Sequence, residues 1–164
     1  MTLTKAAALA GALIAGLWAG TASAEEVGKV GVDWLGNDIV VEAIGDPEVE
    51  GVTCHVTYFE RGLIDRLQQG NWFEDPSNSS IACRQTGPIT IGDIDLDRNG
   101  EEVFQQRRSI ILKTLVINRI YDRENDTLIY LAHTREMQQG SAKMAISTVP
   151  LYGADAKWEN GRPE

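Results

Sequence analysis

The stretch Lys113–Thr134, KTLVINRIYDRENDTLIYLAHT, constrains the fold of this chain more than any other. Leu115, Val116, Ile117, Ile120 and Tyr121 make one apolar arm, and Leu128, Ile129, Tyr130, Leu131 and Ala132 make the other. β-Branched and aromatic side chains of this kind suit a pleated surface. Between the arms stand Asp122-Arg123-Glu124-Asn125-Asp126, polar residues of which Asn and Asp readily adopt turn geometry. One long helix would need the apolar pattern to run through that break, so the spacing predicts a β-hairpin. Apolar residues fall at consecutive positions in each arm, whereas a strand with one wet face alternates. The pattern therefore predicts a hairpin covered on both faces, in the middle of a sheet.

The first 24 residues read differently. Lys5 precedes an apolar run from Ala6 to Ala19, and Ala22-Ser23-Ala24 places small residues where a signal peptidase reads them. That layout predicts a secretory signal peptide over 1–24, cleaved before Glu25. The alternative, a membrane anchor, needs about 20 apolar residues, more than this run supplies. No Cys follows the run to carry a lipid. Export to the periplasm is the expectation, with no membrane span left after cleavage. Removing 24 of 164 residues leaves 140, enough for one core and short for two domains. The net charge of −9 becomes −10 once Lys5 is lost, which opposes long-range attraction to nucleic acid or to anionic membranes. No nucleic-acid partner is expected.

Cys54 and Cys83 are the two cysteines. In an exported chain with strand-like sequence around both, one structural disulfide is the simplest reading. A redox-active pair would more often sit close together, as in C-x-x-C, which is absent.

Further strands follow from local pattern. Glu25–Leu35 and Asn37–Ala43 carry two, with Gly36-Asn37 as the turn. Val52–Phe59 alternates, so that Val52, Cys54, Val56 and Tyr58 share a face. Residues 61–71 have Leu63, Ile64 and Leu67 at helical spacing, which predicts one short helix. Trp72–Ser80 reads as a loop bearing two adjacent aromatics, Trp72 and Phe73. Ile81–Thr86 reads as a strand ended by Gly87-Pro88. Ile89–Ile94 and Glu101–Ile111 read as two more, joined by a turn ending in Asn99-Gly100, a tight-turn signal. Met144–Leu151 closes the set, with Pro150 marking an edge or an end. From Gly153 the chain has no periodicity, which predicts a flexible tail over 153–164. The expected fold is mainly β: a single antiparallel β domain over 25–152, sandwich or barrel-like, with one short helix.

Several segments together resemble the CreA family of small exported bacterial proteins. They are VVEAIGDPEVEGVTCHV at 40–56, IACRQTGPI at 81–89, EVFQQRRSIILKTLVINRIYD at 102–122, LIYLAHT at 128–134 and GSAKMAISTVPL at 140–151, with Glu26-Val27-Gly28 at the start. The resemblance implies an exported, periplasmic, disulfide-bearing protein, and carries over only Cys54 and Cys83, as a bridge. It implies no reaction and no catalytic residue. Residues 60–79 and the acidic turn at 93–100 fit the family least.

Motifs for chemistry are sparse. Asp95-x-Asp97-x-Asn99-Gly100 matches the first half of an EF-hand calcium loop, but the twelfth position is Gln106 where a bidentate Glu is needed. Asp95, Asp97 and Asn99 are therefore a weak calcium candidate, set against a solvated turn. His55 and His133 are too few to build a zinc site. No G-x-S-x-G elbow surrounds Ser109 or Ser141, and no glycine loop cradles a phosphate. Arg107, Arg108, Lys113, Arg119 and Arg123 form a basic cluster better read as strand charges paired with Glu101, Asp122 and Glu124. No catalytic residue, metal or cofactor is assigned. The reading is a non-enzymatic periplasmic binding or interaction module whose partner is an envelope protein or a small ligand, with Trp72 and Phe73 as the binding patch. The competing reading is an envelope enzyme, a hydrolase or a calcium-dependent one.

Overall fold

The computed structural model describes residues 22–34, 37–60, 79–107, 113–136 and 144–163. These contain nine strands: β1 Ala24–Gly31, β2 Asp38–Asp46, β3 Val49–Glu60, β4 Ser80–Ile91, β5 Glu101–Arg107, β6 Lys113–Asp122, β7 Thr127–Glu136, β8 Met144–Pro150 and β9 Lys157–Trp158. Two sheets result, one ordered β1-β2-β3-β4-β9 and the other β5-β6-β7-β8. Every pairing is antiparallel except the short parallel β4–β9 contact. No ladder joins the sheets among the described residues, and their inner faces share one core. The domain is mainly β, a two-sheet sandwich. The short helix expected at 61–71 and the leader up to residue 21 lie outside the described residues, as do Trp72 and Phe73.

Alternation places the core where the sequence put it. Val52, Cys54 and Val56 of β3 are buried while His55 between them is exposed. Cys54 and Cys83 are paired residues of β3 and β4, at disulfide distance (S–S 2.04 Å), and both sulfurs lie in the core. The Cys83 N–H points away from β3 and donates to the Ser147 hydroxyl of β8 at 2.8 Å. That bond ties the open edge of the first sheet to the second.

The central hairpin forms as expected, from Lys113↔Glu136 to Asp122↔Thr127, but it is less enclosed than its composition suggests. Leu115, Val116 and Ile117 are all buried, so both faces are covered there. Along β7, however, Leu128, Tyr130, Ala132 and Thr134 are buried and Ile129, Leu131 and His133 only half-buried. Its outer face is apolar without being a second core.

Three boundaries differ from the sequence expectation. Gly87-Pro88 does not end a strand: β4 runs through it as a bulge, the register passing from Val52↔Gln85 to Glu50↔Thr90. Gly51 opposite makes this possible, with φ +77° and an approach so close that a Cβ would stand 2.2 Å from the Pro88 carbonyl oxygen. The chain ending at Asn99-Gly100 is not a hairpin turn, because β4 and β5 belong to different sheets; it carries the chain across the sandwich. Gly100 (φ +75°) lies against Arg119 and Ile120 of β6, where a Cβ would meet Ile120 Cγ1 at 2.8 Å. Finally, the tail expected to be loose from Gly153 is docked: β9 pairs with Thr90 and Ile91 of β4, and Trp158 packs on the core.

Candidate functional site

The docked C-terminal segment builds two open concave surfaces. Leu151, buried just after β8, donates its N–H to the Asp126 carbonyl at 2.8 Å and accepts from the Ala154 N–H at 3.1 Å. Between these anchors Tyr152 is thrown outward, with 89% of its surface exposed. The chain then returns through Asp155, in the left-handed region at φ +48°, to β9. Trp158 meets Tyr121 edge-on, ring centroids 5.1 Å apart. Arg162 forms an ion pair with Asp126, whose Oδ1 accepts the Tyr121 hydroxyl at 3.0 Å. Burial first, and the Asp126 carboxylate second, push the Tyr121 phenol above its ordinary pKa.

Two grooves flank Tyr152. One, of about 440 Å³, is lined by Asp126, Tyr152, Asp155, Trp158 and Arg162. The other, of about 220 Å³, runs along the seam between β4 and β8 and is lined by Arg84, Gln85, Thr148, Pro150 and Tyr152. Tyr152 is their common wall.

A second polar cluster is closed to solvent except at Glu101, whose side chain is 33% exposed. Arg119, on the inner face of β6, forms ion pairs with Asp46 at the end of β2 and with Glu101 of β5. The Arg119 and Asp46 side chains are each 1% exposed. The Tyr130 hydroxyl donates to Asp46 Oδ2 at 2.8 Å, and Asp46 Oδ1 also accepts the Glu48 N–H at 3.0 Å. Burial, then the Asp46 charge, drive the Tyr130 phenol well above its usual pKa. With Arg119, Asp46 and Tyr130 enclosed, this cluster clamps one sheet to the other.

The residues singled out from sequence fall apart in space. Asp95 and Asp97 cap their own turn: Asp95 Oδ1 accepts the Asp97 N–H at 2.8 Å, and Asp97 accepts the Asn99 N–H at 3.3 Å and its Nδ2 at 3.0 Å. The carboxylates thus serve as local acceptors for backbone donors. Among the described residues no three His, Cys, Asp or Glu side chains come together as metal ligands. His55 lies exposed on the first sheet and His133 sits on the second, 2.9 Å from Asn118 Oδ1. Of the basic cluster, Arg119 is the buried clamp, and its pairing with Glu101 matches the expectation of paired strand charges. Arg108 lies outside the described residues.

Sequence reasoning missed Tyr152, Trp158 and Arg162. The available signal was an aromatic and a cation inside an otherwise polar tail. A separate apolar row crosses the first sheet, from exposed Val30 and Ile39 to half-buried Phe59 in register, with Trp34 90% exposed beyond it.

A family model described as "CreA protein" matches residues 27–154. Protein CreA of Escherichia coli strain K12 is 41% identical over 138 residues, covering 79% of this chain and 85% of the relative. The proteins of the same name from the O6:H1 and O157:H7 strains match equally. No solved structure matches. The matched span takes in Asp126 and Tyr152 and stops short of Asp155, Trp158 and Arg162.

Proposed function

The chain belongs to the CreA family, and from that premise we propose that it is an exported periplasmic protein that works by binding a partner or ligand and performs no catalysis. The leader pattern over 1–24, with its small residues before Glu25, supports export. The observation that carries the binding reading is Tyr152. A large aromatic held almost fully in solvent by two backbone hydrogen bonds, between two grooves, is a preorganised contact surface. Left uncovered, it has no structural use, since the Leu151 anchor beside it supplies the burial.

A photo-crosslinking residue placed at 152 in the full chain, expressed in its own host, tests this. A defined adduct in the periplasmic fraction is expected from position 152 and not from His55, which is exposed on the other sheet. The adduct-bearing protein should begin at Glu25. No adduct from 152, or the same pattern from both positions, contradicts the reading.

A further inference from the structure

The geometry points to a neutral, polyhydroxylated chain, an oligosaccharide, as the ligand of the Tyr152 grooves. This rests on the binding reading above and adds the chemical class. Across the two grooves the charged side chains sum to zero: Arg84 in the smaller, and Arg162 with Asp126 and Asp155 in the larger. An anionic chain running through both would meet two carboxylates, and a cationic chain two guanidinium groups. The protein as a whole carries −9, so this balance is local to the grooves.

What the walls offer instead is a mixture of planar donors and acceptors. Guanidinium groups and the Gln85 amide supply donors, the two carboxylates supply acceptors, and the Thr148 and Tyr152 hydroxyls supply both. Vicinal hydroxyls, each at once donor and acceptor, answer that mixture in both directions. Several of these groups are already oriented. Arg162 is fixed by its ion pair to Asp126 yet remains 57% exposed, so it keeps N–H groups free to turn outward. Arg84 donates through Nη1 to the Cys83 carbonyl at 2.7 Å, and Gln85 donates through Nε2 to the Gly87 carbonyl at 3.0 Å. A sugar ring also presents a C–H face, which an exposed aromatic plane covers with little loss of side-chain freedom. Tyr152 provides such a plane where the two grooves meet, so the ligand is a chain that passes over it and not a single ring. Both grooves open to solvent, which suits a ligand recognised partly through water.

The far wall of the larger groove, Asp155 to Arg162, lies beyond the span matched by the family model.

The test uses the exported mature protein, titrated calorimetrically with tetramers of glucose and of N-acetylglucosamine, and with tetralysine and tetraglutamate as charged controls. At least one tetrasaccharide is expected to bind with Kd below about 1 mM. Tyr152→Ala and Arg162→Gln should each weaken it about tenfold or more. Tyr152→Ala, at an exposed position, should unfold at the same temperature as the parent. Arg162→Lys should not restore full affinity, because a point charge does not reproduce the planar fork. Failure of every tetrasaccharide to bind, or binding that survives both substitutions, overturns the proposal, as does tighter binding of either charged peptide. If the position-152 adduct forms in the envelope while no tetrasaccharide binds, the sugar class is wrong and the binding reading stands. If neither is seen, both fall.

Discussion

Arg119 carries its charge into a place where water cannot follow. Its guanidinium joins Asp46 of one sheet to Glu101 of the other, and Tyr130 supplies a further donor to Asp46. Removing one partner of such a pair leaves the other charge buried without compensation. Arg119→Ala should therefore cost about 3–5 kcal/mol in urea unfolding; a loss under about 1 kcal/mol would mean that the clamp does not hold the sheets. The Tyr130 phenol gives a pH dependence with a definite sign. Its folded pKa is raised above the ordinary value of 10.0, so its contribution is complete below pH 10 and is lost as pH rises from there toward the folded value. Stability should fall above pH 10 with a limiting slope of about 1.4 kcal/mol per pH unit for this phenol. Tyr130→Phe should flatten that slope; an unchanged slope would place the alkaline sensitivity elsewhere. Asp46 shows how far a residue can be read from sequence. Its acceptance of the Glu48 N–H is local, two residues on, and follows from an Asp placed before Pro47. Its ion pair was not, because the partner lies 73 positions away in the other sheet.

At the scale of elements, strands that alternate were legible and strands that bend were not. Val52, Cys54 and Val56 declared their face because alternation is a property of the strand itself. β4 looked like two strands because Gly87-Pro88 is a turn signal wherever it occurs. What overrides it is Gly51 on the neighbouring strand, whose missing Cβ lets the bulge close. Gly51→Ala should thus destabilise by about 1–3 kcal/mol, from the left-handed backbone and the clash with Pro88 together. Thermal unfolding measures this, and a variant as stable as the parent would show that the bulge adapts. The C-terminal segment failed for the converse reason. Two residues of β9 have no pattern of their own; they are held by Thr90, Ile91 and Tyr121, and Arg162 beyond them by Asp126, all distant in sequence. The candidate site stands on that segment, so it was hidden along with it.

The whole molecule is a two-sheet sandwich whose sheets are joined at one seam by the Cys83–Ser147 bond and at another by the Arg119 clamp. Its family was legible from sequence because the resembling segments 40–56, 81–89, 102–122 and 128–134 carry residues of the core strands β2 to β7. The Tyr152 surface was not legible there, because Tyr152 stands out only by exposure; Trp72 and Phe73, which stood out by composition, lie outside the described residues. Among the described residues no helix is long and apolar enough to cross a membrane. Two surfaces remain in competition for a partner, the Tyr152 grooves and the apolar row Val30–Ile39–Phe59 with Trp34. Backbone amide shifts of the isotope-labelled mature protein, titrated with the glucose and N-acetylglucosamine tetramers, decide between them most directly. The account predicts changes confined to Arg84 and Gln85, Asp126, and residues 148–162. Changes centred on Val30, Ile39 and Trp34, or no changes at saturating tetramer, would contradict it.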